Sequence, residues 1–83
     1  MDDQEHDIIE DIGILIEEER NLRDRSSQET GLAPDERSRL REVEIRLDQC
    51  WDLLRQRRAL IEAGEDPSTA RIRSADEVEG YQS

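Results

Sequence analysis

Aliphatic residues recur along this chain in steps of three and four, in two blocks separated by a polar gap. In the first block Ile8, Ile12, Leu15, Glu19 and Leu22 follow the alternating spacing of a coiled-coil seam, with Ile9 and Ile16 widening the stripe on one side. That spacing returns side chains to one face of an α-helix, so it predicts an amphipathic helix over about residues 3–25. Asp2 or Asp3 can cap its start, and the acids of its opening turns suit the positive end of the helix dipole. Glu19 interrupts the seam, and Gly13 lies off it at a cost of ~1 kcal/mol of helix propensity relative to Ala.

Between residues 26 and 33 the pattern stops. Ser26, Ser27, Gln28, Thr30 and Gly31 are turn formers, and no apolar stripe runs through them. Pro34 then suits the first position of a second helix, where its missing N–H does no harm, and Asp35 and Glu36 complete an acidic first turn. The second block is the stronger: Leu40, Val43, Leu47, Cys50, Leu54, Arg57 and Ile61 step evenly by three and four, and six of those seven positions are nonpolar. Ile45, Trp51, Leu53 and Leu60 lie beside or off this seam, so the helix carries more apolar surface than one partner helix covers. It is expected over about residues 34–63, with Gly64 as its stop and Pro67 close behind.

The fold these blocks predict is all-α: a two-helix antiparallel hairpin, coiled-coil-like, in residues 1–64. The short connection sets Ile8 near Trp51 or Leu54, Ile12 near Leu47, Leu15 near Val43, and Glu19 near Leu40 or Arg41. The same register brings Glu5, Asp7 and Asp11 beside Arg55, Arg57 and Arg58, exposed pairs worth only about 0–1 kcal/mol each. Residues 65–83 form a short C-terminal tail. In it Ser74 and Glu77 fit a capping box for a short helix at about 75–79. Ile72, Val78 and Tyr81 are the residues able to dock that tail; without such contacts a segment this polar stays mobile.

Composition sharpens the picture. Eighty-three residues make at most one domain, and with no Phe, with Trp51 and Tyr81 as the only aromatics and with 42% of residues charged, the core must be thin. A lone hairpin of this kind is marginal. Pairing two hairpins into a four-helix bundle would bury the second apolar face of the longer helix, so a homodimer is expected, or else folding against another protein.

Charge is unevenly placed. Residues 1–20 hold nine acids against Arg20, whereas residues 34–63 balance seven acids with seven arginines. A net charge of −11 repels nucleic acid and anionic membrane at long range. All twelve basic residues are Arg, a bias to which no function is attached. One cysteine allows no intrachain disulfide, and no apolar stretch approaches a membrane span or a signal peptide, which makes the cytoplasm the expected location.

Few residues carry chemistry. Cys50, on the seam between Leu47 and Leu54, reads first as a small buried hydrophobe; two copies meeting across a dimer axis would give a redox-responsive dimer. His6 sits among acids, but one His and one distant Cys do not make a structural zinc site, so neither a metal nor a cofactor is expected. Arg55, Arg57 and Arg58 with Trp51 one turn earlier suggest a nucleic-acid-associated accessory protein, a reading opposed by the net charge. No phosphate loop, Ser/His/Asp set or paired catalytic carboxylates appear, so catalysis is not expected.

The run Leu47-Asp48-Gln49-Cys50-Trp51-Asp52-Leu53-Leu54-Arg55-Gln56-Arg57-Arg58-Ala59, followed by Gly64-Glu65-Asp66-Pro67, resembles a family of short acidic actinobacterial proteins known only as a domain of unknown function. The likeness extends to Asp35-Glu36-Arg37 and to Glu79-Gly80-Tyr81, and the polar seam position at Glu19 matches. Where the family pattern has Ser or Asp near the start of the second helix this chain has Ala33-Pro34, which implies a weaker cap. The resemblance brings no activity; it implies that residues 48–59 are the recognition surface. The preferred expectation is therefore a protein-interaction or structural module using Trp51, Arg55, Asp48 and Arg58 on the second helix.

Overall fold

The computed structural model describes residues 3–27 and 31–80. Among them are three α-helices, α1 (Asp3–Ser26), α2 (Pro34–Glu62) and α3 (Ala75–Gly80), a 3-10 turn at Pro67–Thr69, and no strand. Asp2, residues 28–30 of the connection, Tyr81 and the side chain of Glu77 lie outside the described residues.

Local chemistry explains each boundary. Asp3 and Glu5 in the first turn of α1 and Arg23 and Arg25 in its last turn both complement the helix dipole. At its end the hydroxyls of Ser26 and Ser27 donate to the carbonyls of Arg23 and Asp24 at 2.7 and 2.8 Å, satisfying acceptors that have no intrahelical partner. Pro34 opens α2 after Ala33, whose side chain offers no acceptor, so only half of a capping box forms: Glu36 Oε1 accepts from the Ala33 N–H at 3.1 Å. Arg25 clamps the same Glu36 carboxylate from across the connection.

The other end of α2 closes on a Schellman motif. Gly64 adopts φ +75°, its N–H donates to the Ile61 carbonyl at 3.0 Å, and the Glu65 N–H donates to the Leu60 carbonyl at 2.8 Å. Asp66 Oδ1 then accepts from the Ser68 N–H at 2.9 Å and starts the 3-10 turn. Together these turns reverse the chain, and residues 67–80 run back along α2.

The hairpin is antiparallel. Arg39 forks onto Glu18, with Nη2 donating to Oε1 at 2.8 Å, while Arg57 near the far end of α2 donates to Gln4 at the start of α1 at 2.7 Å. Ile8, Ile12, Leu15 and Leu22 of α1 form one buried cluster with Val43, Leu47 and Leu53 of α2, and Ile16, Leu40, Cys50, Leu54 and Leu60 pack against it. Trp51 is not part of this seam: 44% of it is exposed, so of the two neighbours expected for Ile8 only Leu54 joins the core.

The expected electrostatic register is met in part, because Arg57 reaches the start of α1 at Gln4, next to Glu5. Arg55 pairs with Asp52 on its own helix at 4.0 Å, and Arg57 is buried. Three ion pairs bridge α1 and α2 at the connection end: Arg39–Glu18, Arg25–Glu36 and Arg23–Glu44 at 3.3 Å.

That tail is docked. Ala70 and Val78 are buried, and Ala70 belongs to the main cluster; Ile72, by contrast, points outward and is 65% exposed. Leu53 is buried in the same cluster as Ala70, and Leu60 lines a groove with Ala70 and Val78, so part of the apolar surplus of α2 is met by the chain's own C-terminal segment. The result is a slab of 52 × 29 × 15 Å. It is little more than one helix thick, with α1 and the tail on opposite edges of α2.

Candidate interaction surface

With one edge of α2 taken by α1 and another by the tail, a third strip is left facing outward. Asp48, Trp51, Arg55 and Arg58 follow one another by three, four and three residues, which places them on one face of the helix, and all four are exposed. Trp51 is the large hydrophobe at its centre. Arg58 makes no ion pair among the described residues, and Arg55, with a side chain 67% exposed, touches only the near oxygen of Asp52. Asp48 makes no ion pair among the described residues. A half-exposed indole flanked by extended, weakly engaged charges has the make-up of a protein-docking surface, in which an aromatic anchors and charges orient.

Arg57 does not belong to this strip. Only 2% of it is exposed, and its Nη1 donates to Gln4 Oε1 at 2.7 Å and to the Pro67 carbonyl at 3.2 Å, joining α1, α2 and the 3-10 turn. The arginine cluster read from the sequence is therefore divided, with Arg57 internal and Arg55 and Arg58 outside. A basic patch needs its charges together in solvent.

A second constellation lies outside the residues that the sequence pattern singles out. Asp52 is 2% exposed, and Arg73 grips it with a fork, Nε to Oδ2 at 2.8 Å and Nη2 to Oδ1 at 2.6 Å. Gln56 Nε2 also donates to Asp52 Oδ2 at 2.9 Å and to the Arg71 carbonyl at 2.7 Å, while its Oε1 accepts from the Arg71 N–H at 3.2 Å. One turn earlier Gln49 Nε2 donates to the Arg73 carbonyl at 3.1 Å. Gln49, Asp52 and Gln56 are thus a polar ladder that holds the extended segment 70–73. The signal was present as a second three-and-four spacing, but of polar residues, and hydrophobic periodicity does not register it.

The Arg73 guanidinium, against the opposing effect of burial, holds the Asp52 carboxyl below its usual range, with Gln56 adding to the effect. Asp52 is therefore ionised at neutral pH and fully engaged, which leaves it no proton to donate. The groove between α2 and the tail, about 750 Å³, is lined by Ala59, Leu60, Ala70 and Val78 around these polar groups. Its charges serve one another.

Cys50 lies on the opposite flank, half-buried in a groove of about 460 Å³ with Asp11, Ile14 and Ile72. Burial, with a smaller contribution from Asp11, pushes its thiol pKa up. A raised pKa lowers the thiolate fraction and with it the reactivity that redox sensing requires. His6 sits 3.7 Å from Glu10 on an exposed turn, and no group of three or more metal-ligating side chains forms among the described residues.

A family described as "Protein of unknown function (DUF2630)" matches residues 4–83. The chain belongs to the DUF2630 family. Uncharacterised proteins of Mycobacterium tuberculosis and Mycobacterium bovis are 52% identical to it over 67 residues, covering 81% of this chain and 77% of theirs. These relatives are mycobacterial, in line with the actinobacterial family that the LDQCWDLLRQRRA run resembles. No solved structure matches the chain. The DUF2630 match takes in the hairpin and the tail together, so both belong to the family's shared unit. Among the described residues of this DUF2630 protein no helix is long and apolar enough to cross a membrane.

Proposed function

We propose that this DUF2630 protein is a non-catalytic protein-interaction module that engages its partner through the outward strip of α2, with Trp51 as the anchor and Asp48, Arg55 and Arg58 setting orientation. The observation that carries this reading is the exposure of Trp51 at 44% in a chain that has only one other aromatic residue and a core too thin to spare one. Trp and Arg are the residues that most often dominate interface energetics, and leaving an indole in water is unfavourable unless something covers it. Against catalysis stand the residue inventory, with one His and no Lys, and the engagement of the buried carboxylate Asp52 by Arg73.

The test is comparative affinity capture with the full chain. Trp51→Ala and Arg55→Ala, each retaining wild-type helicity by circular dichroism, should lose specific partners that the wild type retains. An unchanged set of bound proteins would overturn the reading.

A further inference from the structure

The outward strip of α2 is longer than the four residues above, and its charges are ordered. Continuing the same three-and-four spacing in both directions from Trp51 gives Asp48, Glu44 and Arg41 on one side and Arg55, Arg58 and Glu62 on the other. Reading outward from the indole, one arm runs acid, acid, base and the other runs base, base, acid. The two arms are charge inverses.

An isolated solvated helix does not favour this order. The pairs nearest Trp51 carry like charges, Glu44 with Asp48 at i, i+4 and Arg55 with Arg58 at i, i+3, spacings at which repulsion destabilises a lone helix, while Arg41 and Glu62 at the two ends lie beside opposite charges. Elsewhere α2 uses the opposite arrangement, pairing Arg39 and Arg46 with Glu42 at 3.4 and 3.5 Å. Among the described residues the strip's like-charged blocks form ion pairs only through Arg23 on Glu44 and the 4.0 Å contact of Arg55 with Asp52. What complements them is the same helix turned end for end.

Resting on the reading of this strip as an interaction surface, we infer that its occupant is a second copy of this chain, docked antiparallel about a twofold axis passing near Trp51. In that arrangement the two indoles meet at the axis, Asp48 of each copy faces Arg55 of the other, Glu44 faces Arg58, and Arg41 faces Glu62. A twofold interface must be self-complementary, and a charge-inverse strip centred on an aromatic meets that requirement. The Arg23–Glu44 pair shows which edge of α1 borders the strip. Ile16 and Ile9, one and two heptads before Arg23 on that edge, add apolar surface on the flank of Trp51, and Ile9 is 46% exposed. Two slabs meeting through α2 form a bundle with four long helices.

Sedimentation equilibrium of the full chain tests this with charge reversals. The wild type should be a dimer that weakens with added salt. Asp48→Arg and Arg55→Asp should each weaken dimerisation at least about tenfold, since every reversal acts twice across a twofold axis. The double variant carrying both changes should recover it, and equimolar mixing of the two single variants should produce more dimer than either alone. A monomeric wild type, or a dimer indifferent to both reversals, would overturn the inference. In that event the interaction-module reading still stands or falls separately, on whether Trp51→Ala changes the binding of other proteins.

Discussion

Arg73 and Asp52 form a two-pronged contact, at 2.8 and 2.6 Å, that joins the C-terminal segment to the middle of α2. Around it the tail's backbone is held by Gln49 and Gln56, and Ala70 and Val78 are buried to either side. The pair is thus one of several contacts that hold residues 67–80 on α2.

Removing Asp52 takes away the buried carboxylate on which the Arg73 fork and the Gln56 amide converge. Asp52→Ala should cost ~2 kcal/mol, the order expected for losing hydrogen bonds to a charged group at a buried position. Hydrogen exchange locates the effect: the Val78 amide, which donates to the Ser74 carbonyl at 3.1 Å, should lose protection while amides in the centre of α1 keep theirs.

Acid should undo the same contact. The Asp52 pKa is lower in the folded chain than its ordinary value of 3.8, so its contribution to stability is complete above that value and is lost as pH falls through the folded one. Glu18, held down by Arg39, and Asp66, held down by the Ser68 N–H, act in the same direction. Thermal melts should show stability falling below about pH 4, and Asp52→Asn should flatten that fall relative to the wild type.

Two glycines should respond with opposite sign. Gly13 is helical and open space lies where a methyl group would go, so Gly13→Ala should stabilise by ~1 kcal/mol through helix propensity. Gly64 sits at φ +75°, which an L side chain adopts only under strain, so Gly64→Ala should destabilise by ~1 kcal/mol. Urea denaturation of the two variants measures both.

Adjacent arginines should differ just as clearly. Arg57→Ala removes a buried side chain that ties Gln4 to the Pro67 carbonyl and should cost ~3 kcal/mol. Arg58→Ala, on the exposed strip, should change monomer stability by less than about 0.5 kcal/mol. Equal effects in denaturant would contradict the division of this cluster into one internal and two external members.

Cys50 should be a slow nucleophile. With its pKa raised by burial, alkylation at neutral pH should proceed more slowly than that of a cysteine in an unfolded peptide and should accelerate in urea. Wild type and Cys50→Ser should give the same pattern on non-reducing gels after mild oxidation; a disulfide-linked dimer in the wild type alone would restore the redox reading.

How far the chain could be read without coordinates differs from element to element. Hydrophobic spacing was enough for the two long helices and for their contact through Ile12, Leu15, Val43 and Leu47, because a three-and-four ladder has one buried solution. Pro34 and Gly64 marked the ends of α2 through backbone constraints that act locally. The candidate surface was legible as well, since Asp48, Trp51, Arg55 and Arg58 share a face by spacing alone.

Tertiary packing decided the rest. Whether Arg57 was a surface charge or an internal tie depended on where residues 4 and 67 came to lie, and no local pattern carries that distance. Of the residues expected to dock the tail, Val78 is buried but Ile72 is not; Ala70 and Arg73 took its place because Gln49 and Gln56 hold the extended segment by its backbone and Asp52 holds the Arg73 side chain. Polar contacts of this kind are directional and pairwise, so they exist only once both partners have been positioned, whereas apolar periodicity is a property each helix has before it meets anything.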